Sequence, residues 1–413
     1  MAEPQASRLQ ADLDSVSEFT DRSVPGWTRT ALSPWDRVAR VWAQRQLRDL
    51  GLATWVDAAG NVLGRWPGTD PTLPALMTGS HLDTVEGGGR FDGVVGFAGG
   101  VETVRVLQES DVRLRHDLIV ASFFNEEPNR FGLSCIGSRA MTGRLTAEHL
   151  RLVDSQGGTF GTALTSCGLD IGNLGSARLT PDQVGLFLEL HIEQGPMLEE
   201  QESQIGLVTS ITGVSRFRAL FHGRRGHAGT TPMDRRADAG CAAAGTVLAV
   251  EQIGSAHDHS RGTTGFVAFT PEAVNVISDL AEVRGELRSP VGEWLADARS
   301  QLEDRAHEEG ARRSVEVDLD WLSHEHPVRM GDDVLALLDS VVRGLGYRQS
   351  RLYSGAEHDA AVMAGLCPTG MVFVPSRGGL SHCPEEWTDI EAITAGVHVL
   401  AQAMVAADRT SSR

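Results

Sequence analysis

The sequence predicts an α/β fold in which a mixed-sheet domain is interrupted by a smaller, inserted α+β domain. Two observations lead to this prediction. At both ends of the 413 residues, nearly continuous apolar strands alternate with segments of helical periodicity, which is typical of a sheet covered by helices. Between these ends, about a hundred residues follow a different plan of alternating strands with two helices. We therefore predict that residues 1–212 and 328–413 form the first domain and 213–327 the insertion.

The first domain begins with a helix and a hairpin. From Pro34 to Leu50, apolar residues recur at helical spacing, and Gly51 follows where a C-terminal cap is expected. The next segment, TWVDAAGNVLGRWPG, predicts a hairpin that turns at Ala59-Gly60-Asn61. A helix over 96–107 and three strands complete this part, and the strands read ALMTGSHLDTV, DLIVASFFNEE and VGLFLELHIEQG. Each strand changes abruptly from apolar to polar residues, and ligands of α/β domains gather at such carboxyl ends.

The inserted domain is predicted from strands with alternating polarity. Its helices are expected over 237–252 and 292–309, and its strands are SRFRALFHG, TGFVAFTPEAVNVI, AEVRGELRS and SVEVDLDWL. After the insertion, a helix over 332–346 and the loops SGAEHDA and GGLSHCPEEW return to the pattern of the first domain.

The composition limits the partners and the chemistry. A formal net charge of -18 disfavours nucleic acid and anionic lipid as partners. The sequence contains no lysine, so all 37 basic residues are arginines. Schiff-base catalysis, pyridoxal chemistry and the GK[ST] phosphate loop all require lysine and are therefore excluded.

The cysteines and the apolar segments indicate the compartment. The 5 cysteines are scattered without CxxC pairing, and an odd number indicates reduced thiols. No apolar run approaches the roughly eighteen residues that span a bilayer, and the first twenty or so residues are amphipathic and acidic, unlike a secretory signal. These features predict a soluble, cytoplasmic protein without a membrane partner.

Acidic and imidazole side chains lie where the predicted strands end. They are His81 in GSHLDT, Asp92 in GGRFDG, Glu126 and Glu127 in FFNEEPNRFG, His191 in LELHIEQG and His382 in GGLSHCPEE. Taken singly, a histidine at a strand end is more often a core residue than a ligand. Together, imidazoles and carboxylates suit zinc-like or manganese-like ions, and a shared carboxylate can hold two ions about 3.5–4 Å apart. Glu126 and Glu127 follow an apolar strand directly, and buried carboxylates are costly without a cation.

These motifs together resemble the hydantoinase/carbamoylase branch of the dinuclear metallopeptidase-like amidohydrolases. The blocks TGSHLDTV, GGRFDGVVG, FFNEEPNRFG, GSRAMTG, LELHIEQGP, GHAGTTPMDRRADA, SGAEHDA and VPSRGGLSHCPEE occur in unbroken order along nearly the whole chain. The branch includes N-carbamoyl-L-amino-acid hydrolases, β-ureidopropionase and allantoate amidohydrolase.

The resemblance implies a metallohydrolase domain with two divalent ions, which are zinc, manganese, cobalt or nickel. The implied ligands are Asp92 as the bridge, His81 and His191 for one metal, and Glu127 and His382 for the other. Glu126 is implied as the general base. Asp83 lies two residues after His81 and is either the acceptor that orients this imidazole or an ordinary loop carboxylate.

The resemblance also implies that the inserted domain is a dimerisation or lid domain of a homodimer. His227 in GHAGTTPM would then reach across the dimer interface and donate to the oxyanion of the neighbouring site. The structural alternative for His227 is a loop histidine that caps the following helix.

A small carboxylate is the implied substrate, and three residues match family positions for binding it: Gln194, Asn275 and Arg288. The planar guanidinium of Arg288 pairs bidentately with a carboxylate, although a surface ion pair is its structural alternative. Arg377 is expected to be either a second carboxylate contact or a surface charge.

The loop SGAEHDA adds Gly355 and Ala356 to the expected substrate contacts, but it departs from the family pattern SGAGHDA. Glu357 stands where the pattern has a glycine, which permits close approach of the backbone to a ligand. Glu357 is therefore expected either to narrow the pocket or to favour a substrate with a cationic or donor group.

The implied reaction is hydrolysis of the ureido C–N bond of an N-carbamoyl-L-amino acid to the amino acid, carbon dioxide and ammonia. Allantoate amidohydrolase is the alternative, because it needs the same metals, Glu126 and Arg288. An N-acyl-amino-acid deacylase or dipeptidase on the same scaffold is more distant. A non-catalytic binding protein would be expected to have lost a ligand or the base, and all six residues are present.

Overall fold

The computed structural model describes residues 1–410. In this range the α-helices are α1 (Ala6–Ser17), α2 (Pro34–Asp49), α3 (Val94–Glu109), α4 (Ile136–Met141), α5 (Phe160–Ser166), α6 (Met197–Glu200), α7 (Ala239–Ser255), α8 (Gly292–Ala311), α9 (Asp332–Leu345), α10 (Asp359–Met363) and α11 (Ile390–Thr410). The strands are β1 (Ala53–Val56), β2 (Val62–Trp66), β3 (Ala75–His81), β4 (Leu118–Phe123), β5 (Val184–Ile192), β6 (Ile205–Ile211), β7 (Gly213–His222), β8 (Gly226–His227), β9 (Arg261–Thr270), β10 (Val276–Ile277), β11 (Leu280–Ser289), β12 (Glu316–Glu325), β13 (Val328–Arg329), β14 (Gln349–Ser354) and β15 (Thr369–Val374). Short 3₁₀ helices lie at His149–Arg151, Ile171–Ala177, Met233–Arg235 and Arg377–Gly379.

The chain forms two compact units. The first unit comprises Met1–Thr209, Met330–Leu352 and the chain from His358 onward. The second unit comprises Ser210–Arg329 and Tyr353–Glu357. The dimerisation or lid role that the sequence suggests for the inserted segment stays a prediction.

The sheet of the first unit is mixed, as the sequence predicts. Its strands lie in the order β1-β2-β4-β3-β5-β15-β6, and β14 also pairs with β6. β3 is parallel to β4 and to β5, and β5 is parallel to β15, whereas β2 is antiparallel to β4. The four parallel strands therefore end at one edge of the sheet, which we call the carboxyl edge. In α/β sheets this edge is where ligands bind.

The predicted first helix and hairpin are confirmed, but α2 buries a different face from the one that the spacing indicates. Ser33 caps α2 by accepting the Asp36 N–H at 3.2 Å, and β1 and β2 form the hairpin. The buried side chains of α2 include Ala39, Ala43 and Leu47, whereas Trp35, Val38 and Val41 are exposed. α2 contacts β1 and β2, and the ring of Trp42 lies 5.9 Å from that of Phe97 between centroids, so only part of its apolar spacing is turned outward.

Two helices, α3 and α11, form the inner layer of the first unit. α3 is buried on nearly all sides, and a Cβ at Gly96 would lie 2.4 Å from the carbonyl oxygen of Leu190, so only glycine permits this approach. α11, which the sequence patterns leave unassigned, packs against α3 and α9. Contrary to the sequence-based expectation, α11 has the length and apolarity of a membrane span, but 61% of its most apolar window is buried inside the molecule. This is the environment of a core helix.

The second unit contains a four-stranded antiparallel sheet in the order β12-β7-β11-β9. Its apolar face packs on α7 and α8, and the core includes Phe217, Phe221, Val283, Leu287 and Leu302. β9 lies at the edge of this sheet. β8 and β10 form a separate two-stranded pair, and β13 pairs with Ser210 and Ile211.

Most predicted elements of the insertion are confirmed, with one correction. The helices α7 and α8 of the insertion, and α9 after it, begin and end within three residues of the predicted bounds. The predicted strand TGFVAFTPEAVNVI is wrong, because it is two strands, β9 and β10, separated by a turn at Pro271. Proline has no N–H to donate to a sheet, so it ends β9. The 5 cysteines are free, as predicted.

Candidate functional site

Six of the predicted site residues come together at the carboxyl edge of the first unit. His81 is the last residue of β3 and His191 the last but one of β5. Glu126 and Glu127 follow β4, Asp92 lies two residues before the start of α3, and His382 lies in the loop after β15. All except His382 are buried. The parallel arrangement of four strands thus assembles side chains that are far apart in the sequence.

These residues form two groups that share Asp92. In the first group, Asp92 Oδ1 lies 3.2 Å from His191 Nε2 and 3.8 Å from His81 Nε2. In the second, His382 Nε2 lies 3.1 Å from Asp92 Oδ2 and 3.2 Å from Glu127 Oε1. In each group the potential ligand atoms lie within 4.8 Å of one another. The two oxygens of one carboxylate therefore face two separate sets of donors.

The imidazoles of the first group are oriented as metal-binding histidines are. His81 Nδ1 donates to the carbonyl oxygen of Asp83 at 2.9 Å, and His191 Nδ1 donates to that of Ile192 at 2.9 Å. When such an imidazole is neutral, as a metal ligand must be, its lone pair is on Nε2, the nitrogen that faces Asp92. A Cβ at Gly93 would lie 2.4 Å from His81 Nε2, so the glycine after Asp92 leaves room for this ring.

The charges of the site favour cations. Burial raises the pKa of Glu126 well above its ordinary value, and the charge of Glu127 raises it further. Burial also raises the pKa of Asp92, but hydrogen bonds to His191 and His382 outweigh burial and hold this pKa well below its usual value. Hydrogen bonds to Asp92 and Glu127 raise the pKa of His382 to about 11. Because the carboxylates Asp92 and Glu127 hold a proton on His382 in this way, the cluster also fits divalent cations, which would neutralise its carboxylates.

Glu126 and Glu127 are held differently by their common turn. Asn125 has a φ of 53°, in the left-handed region, and its side-chain amide donates to the carbonyl oxygen of Glu127 at 2.7 Å. The Glu127 carboxylate belongs to the second group, whereas Glu126 Oε2 lies 3.6 Å from His81 Nε2. The Cys135 thiol donates to Glu126 Oε1 at 3.6 Å. Glu126 is therefore the carboxylate that stands beside the two groups without belonging to either.

The side chain of Asp83 does not accept a hydrogen bond from His81. Its backbone carbonyl, rather than its carboxylate, accepts from His81 Nδ1, and the carboxylate oxygen is 3.9 Å from that nitrogen. The carboxylate instead accepts the backbone N–H groups of Glu126 at 3.2 Å and Glu127 at 3.1 Å. Asp83 thus joins the His81 loop to the turn after β4. Arg29, which is fully buried, donates to the carbonyl oxygen of Leu82 at 2.5 Å and supports the same loop.

Gln194, expected to contact substrate, lies against the shared carboxylate. Its Nε2 donates to Asp92 Oδ2 at 2.9 Å and to Ser381 Oγ at 3.2 Å. Its Oε1 is buried and has no hydrogen-bond partner among residues 1–410. Gln194 therefore offers a free acceptor directly beside the two groups.

Several residues around the site were not identified from the sequence. Glu386 is buried and binds the loop of Asp92. The ring of His358 packs edge-on against His191 with 4.5 Å between the centroids. Glu189 forms a third cluster with these two histidines, but both its oxygens already accept, from Ser80 Oγ at 2.7 Å and from Ala360 N–H at 2.9 Å. The one available signal was the acidic pair in PEEW, which resembles the pair in NEEP.

The second unit holds the remaining predicted substrate residues. The Nδ1 atom of His227 accepts the backbone N–H groups of Gly229 at 3.0 Å and Thr230 at 3.2 Å, which leaves the proton of the neutral ring on Nε2. The carbonyl oxygen of Asn275 accepts from Ala228, next to His227, at 3.0 Å. His227 therefore has a tautomer that can donate.

Arg288 is held by its own unit. Its Nε donates to Glu286 at 2.6 Å and its Nη1 to the carbonyl oxygen of Gly355 at 3.0 Å. The loop of Gly355 and Ala356 is closed by Ser354 Oγ, which accepts the Ala356 N–H at 3.1 Å. Glu357 Oε2 lies 4.0 Å from Arg216. The guanidinium of Arg288 and the backbone of this loop thus lie together.

Arg377 lies on the surface. Its Nη2 donates to Asp389 at 2.5 Å, and 61% of its side chain is exposed. Its guanidinium also lies 5.3 Å from the ring centroid of Trp387. This environment favours the surface-charge alternative for Arg377 over a carboxylate contact.

Comparisons with known proteins identify relatives of the whole chain. Residues 77–406 match the profile described as Peptidase family M20/M25/M40. The chain is 36% identical over 407 residues to an N-carbamoyl-L-amino-acid amidohydrolase of Paenarthrobacter aurescens, covering 98% of each chain. It is 36% identical to a ureidoglycolate hydrolase of Oryza sativa subsp. japonica, covering 96% of this chain and 83% of the relative. The crystal structure of an amidase of the hydantoinase/carbamoylase family from Burkholderia multivorans superposes with a TM-score of 0.85, at 33% identity and 97% coverage of both chains.

Proposed function

Because the chain belongs to peptidase family M20/M25/M40 and to its hydantoinase/carbamoylase amidases, we propose that it hydrolyses the ureido C–N bond of an N-carbamoyl-L-amino acid. The chain is an amidohydrolase, an enzyme that acts on carbon–nitrogen bonds in linear amides. The observation that carries the proposal is the carboxylate of Asp92, whose two oxygens face two sets of donors. The products would be the amino acid, carbon dioxide and ammonia.

Two divalent cations would be held by these two groups. Nitrogen and oxygen donors of this kind suit zinc, manganese, cobalt or nickel. Such cations polarise a carbonyl oxygen and lower the pKa of a water molecule towards about 7. This chemistry is needed because two nitrogens donate into a ureido carbonyl and make it a poor electrophile.

Glu126 would move the proton in this reaction. A base must lie within reach of the water without itself being occupied as a ligand, and Glu126 stands beside both groups. Glu126 would take one proton from the attacking water and return it to the leaving nitrogen, so that water adds across the broken C–N bond.

The remaining predicted residues would recognise the substrate. The unpartnered Oε1 of Gln194 is an acceptor suited to an N–H of the carbamoyl group. Arg288 would bind the carboxylate, and Glu286 and Gly355 hold its guanidinium in place for this purpose. Asn275, Gly355 and Ala356 would complete the binding of the carboxylate.

A substrate panel tests the proposed reaction. After reconstitution with each candidate metal, the enzyme would be assayed for ammonia release from N-carbamoyl-L-amino acids, their D-enantiomers, allantoate and ureidoglycolate, and for amine release from N-acyl-L-amino acids and dipeptides. We expect the highest kcat/KM for an N-carbamoyl-L-amino acid and a large loss for the same ureido compound without its carboxylate. Preference for allantoate or ureidoglycolate would show that the substrate is a different ureido acid. Hydrolysis of dipeptides alone would refute the proposal.

We further propose that the enzyme is a homodimer, assembled through the second unit. β9 is an edge strand on which Phe266, Val267 and Phe269 are exposed, and an exposed apolar edge of this length is typical of an interaction surface. His227 of one subunit would donate its Nε2 proton to the oxyanion that forms in the site of its neighbour. A cytoplasmic location is also our proposal, supported by the free cysteines.

Mixing two inactive variants tests whether His227 acts across the interface. His227→Ala leaves an intact metal site without its donor, and Glu126→Ala leaves an intact donor beside a site without its base. Random subunit exchange makes about half of the dimers mixed, and one of the two sites in each mixed dimer is complete, so about a quarter of wild-type activity should return. Each variant alone is the control. Mixed dimers shown by differential tagging but without recovered activity would exclude action in trans.

A further inference from the structure

Glu386 is a buried carboxylate with no role in the proposed reaction. Its side chain is only 2% exposed. Its Oε1 accepts the backbone N–H groups of Phe91 at 2.9 Å and of Asp92 at 3.1 Å, and its Oε2 accepts from Ser381 Oγ at 2.7 Å. A Cβ at Gly89 would lie 2.0 Å from Glu386 Oε1, so the loop before Asp92 lies directly against this carboxylate.

The partners of Glu386 close a ring of hydrogen bonds around Asp92. Ser381 donates its hydroxyl proton to Glu386 and accepts from Gln194 Nε2 at 3.2 Å. The same Gln194 nitrogen donates to Asp92 Oδ2 at 2.9 Å. Glu386 therefore holds the backbone of Asp92 directly and its carboxylate through Ser381 and Gln194. In this ring the N–H and O–H groups donate, and the carboxylate oxygens of Glu386 and Asp92 only accept.

The ring also joins two of the three loops that carry the second group, the loop of Asp92 and the loop of His382. Ser381 immediately precedes His382, whose φ of 57° lies in the left-handed region that few residues other than glycine adopt. Such a conformation persists only where neighbouring contacts hold it. The hydrogen bond from Ser381 to Glu386 is one of these contacts. It ties the His382 loop to the loop of the shared carboxylate.

We propose that Glu386 is a positioning residue that keeps Asp92 and His382 at the separation at which the two groups can each hold a cation. This inference rests on the proposed function, because it assumes that Asp92 and His382 bind metal. Removal of the carboxylate leaves two backbone N–H groups without their acceptor and frees the Ser381 hydroxyl. Loss of contacts that orient ligands typically weakens metal binding about 10–100-fold.

Three variants and one control test the proposal. Glu386→Ala removes all three hydrogen bonds, and Glu386→Gln keeps an oxygen for the backbone N–H groups. Ser381→Ala removes the hydrogen bonds of Ser381 to Glu386 and Gln194, with the least risk to folding. Asp408→Ala is the matched control, because Asp408 is also buried and accepts two backbone N–H groups, from Arg115 at 2.7 Å and His116 at 2.9 Å, with no link to either metal group. The measurements are metal affinity by chelator competition, the absorption spectrum of the cobalt form and the melting temperature.

We expect Glu386→Ala to weaken metal binding about 10–100-fold and to change the cobalt spectrum, with Glu386→Gln closer to wild type and Ser381→Ala intermediate. Asp408→Ala should lower the melting temperature without changing the spectrum or the metal affinity. If Glu386→Ala does not fold, Ser381→Ala decides, and its unchanged affinity and spectrum would overturn the proposal. If the wild-type protein binds two metals and the variants bind them with the same affinity and spectrum, only the positioning role of Glu386 is refuted. If the wild-type protein binds no metal, the proposed function is refuted together with the positioning role.

Discussion

Replacement of Glu126 by glutamine is expected to leave the metal content unchanged and to lower kcat about 10²–10⁴-fold, the usual contribution of a general base. Glutamine has nearly the shape of glutamate but cannot accept the proton of the attacking water. The geometry supports this separation of roles, because the Glu126 carboxylate stands outside both groups that share Asp92. The measurements are metal content by elemental analysis and ammonia release with the best substrate of the panel.

Glu127→Gln is the matched control for this variant, because the two glutamates are adjacent in one turn and equally buried. The Glu127 carboxylate lies 3.2 Å from His382 Nε2 and belongs to the second group. An amide is a much weaker ligand than a carboxylate, so this variant should lose metal as well as activity. If Glu126→Gln lost metal and Glu127→Gln retained it, the two roles would be reversed.

Removal of divalent cations with a chelator is expected to abolish activity, and addition of zinc, manganese, cobalt or nickel to restore it. Without cations, the carboxylates of Asp92 and Glu127 have only protonated histidines to balance them. Protons on His382 and His191 cannot polarise a carbonyl oxygen as a Lewis acid does. The metal-free protein should also melt at a lower temperature, because buried like charges then repel one another.

The measurement is ammonia release before chelation, after extensive dialysis and after titration with each metal, with metal content followed in parallel. Magnesium is the control, because it prefers an octahedral shell of oxygens and suits imidazole poorly. Two equivalents of metal per chain should restore full activity. Full activity in a sample that elemental analysis shows to be free of metal would contradict the proposed mechanism.

Much of the fold could be predicted from local pattern. The strands β3, β4 and β5 are continuous apolar runs that end in polar residues, and α7, α8 and α9 have clear helical spacing. α2 shows the limit of this reasoning, because Ala39, Ala43 and Leu47 are buried whereas Trp35, Val38 and Val41 are exposed. Which face of a helix is buried depends on how closely the partner approaches. That distance is a property of the packed molecule, and the spacing of apolar residues along one helix does not contain it.

In the candidate site, too, some features could be predicted from the sequence and others could not. His81, Asp92, Glu127, His191 and His382 were predicted as one set because their motifs occur together, and the fold brings them to one edge. The pairing of donors with the two oxygens of Asp92 is decided by distances between loops that follow different strands. Asp83 illustrates the difference, because its carboxylate was expected either to orient His81 or to be an ordinary loop carboxylate, and it accepts two N–H groups from the turn after β4.

The sequence by itself determined the chemical types present at the strand ends, since side chains with a given chemistry are written directly in the chain. Only the tertiary structure decided which residues support them. Glu386 lies 294 positions after Asp92 in the sequence, and no local pattern relates them. Their contact exists because parallel strands end at one edge and bring their loops together. Hydrogen bonds between loops depend on that closeness in space, which is why the ligands could be recognised from their motifs and the residue that positions them could not.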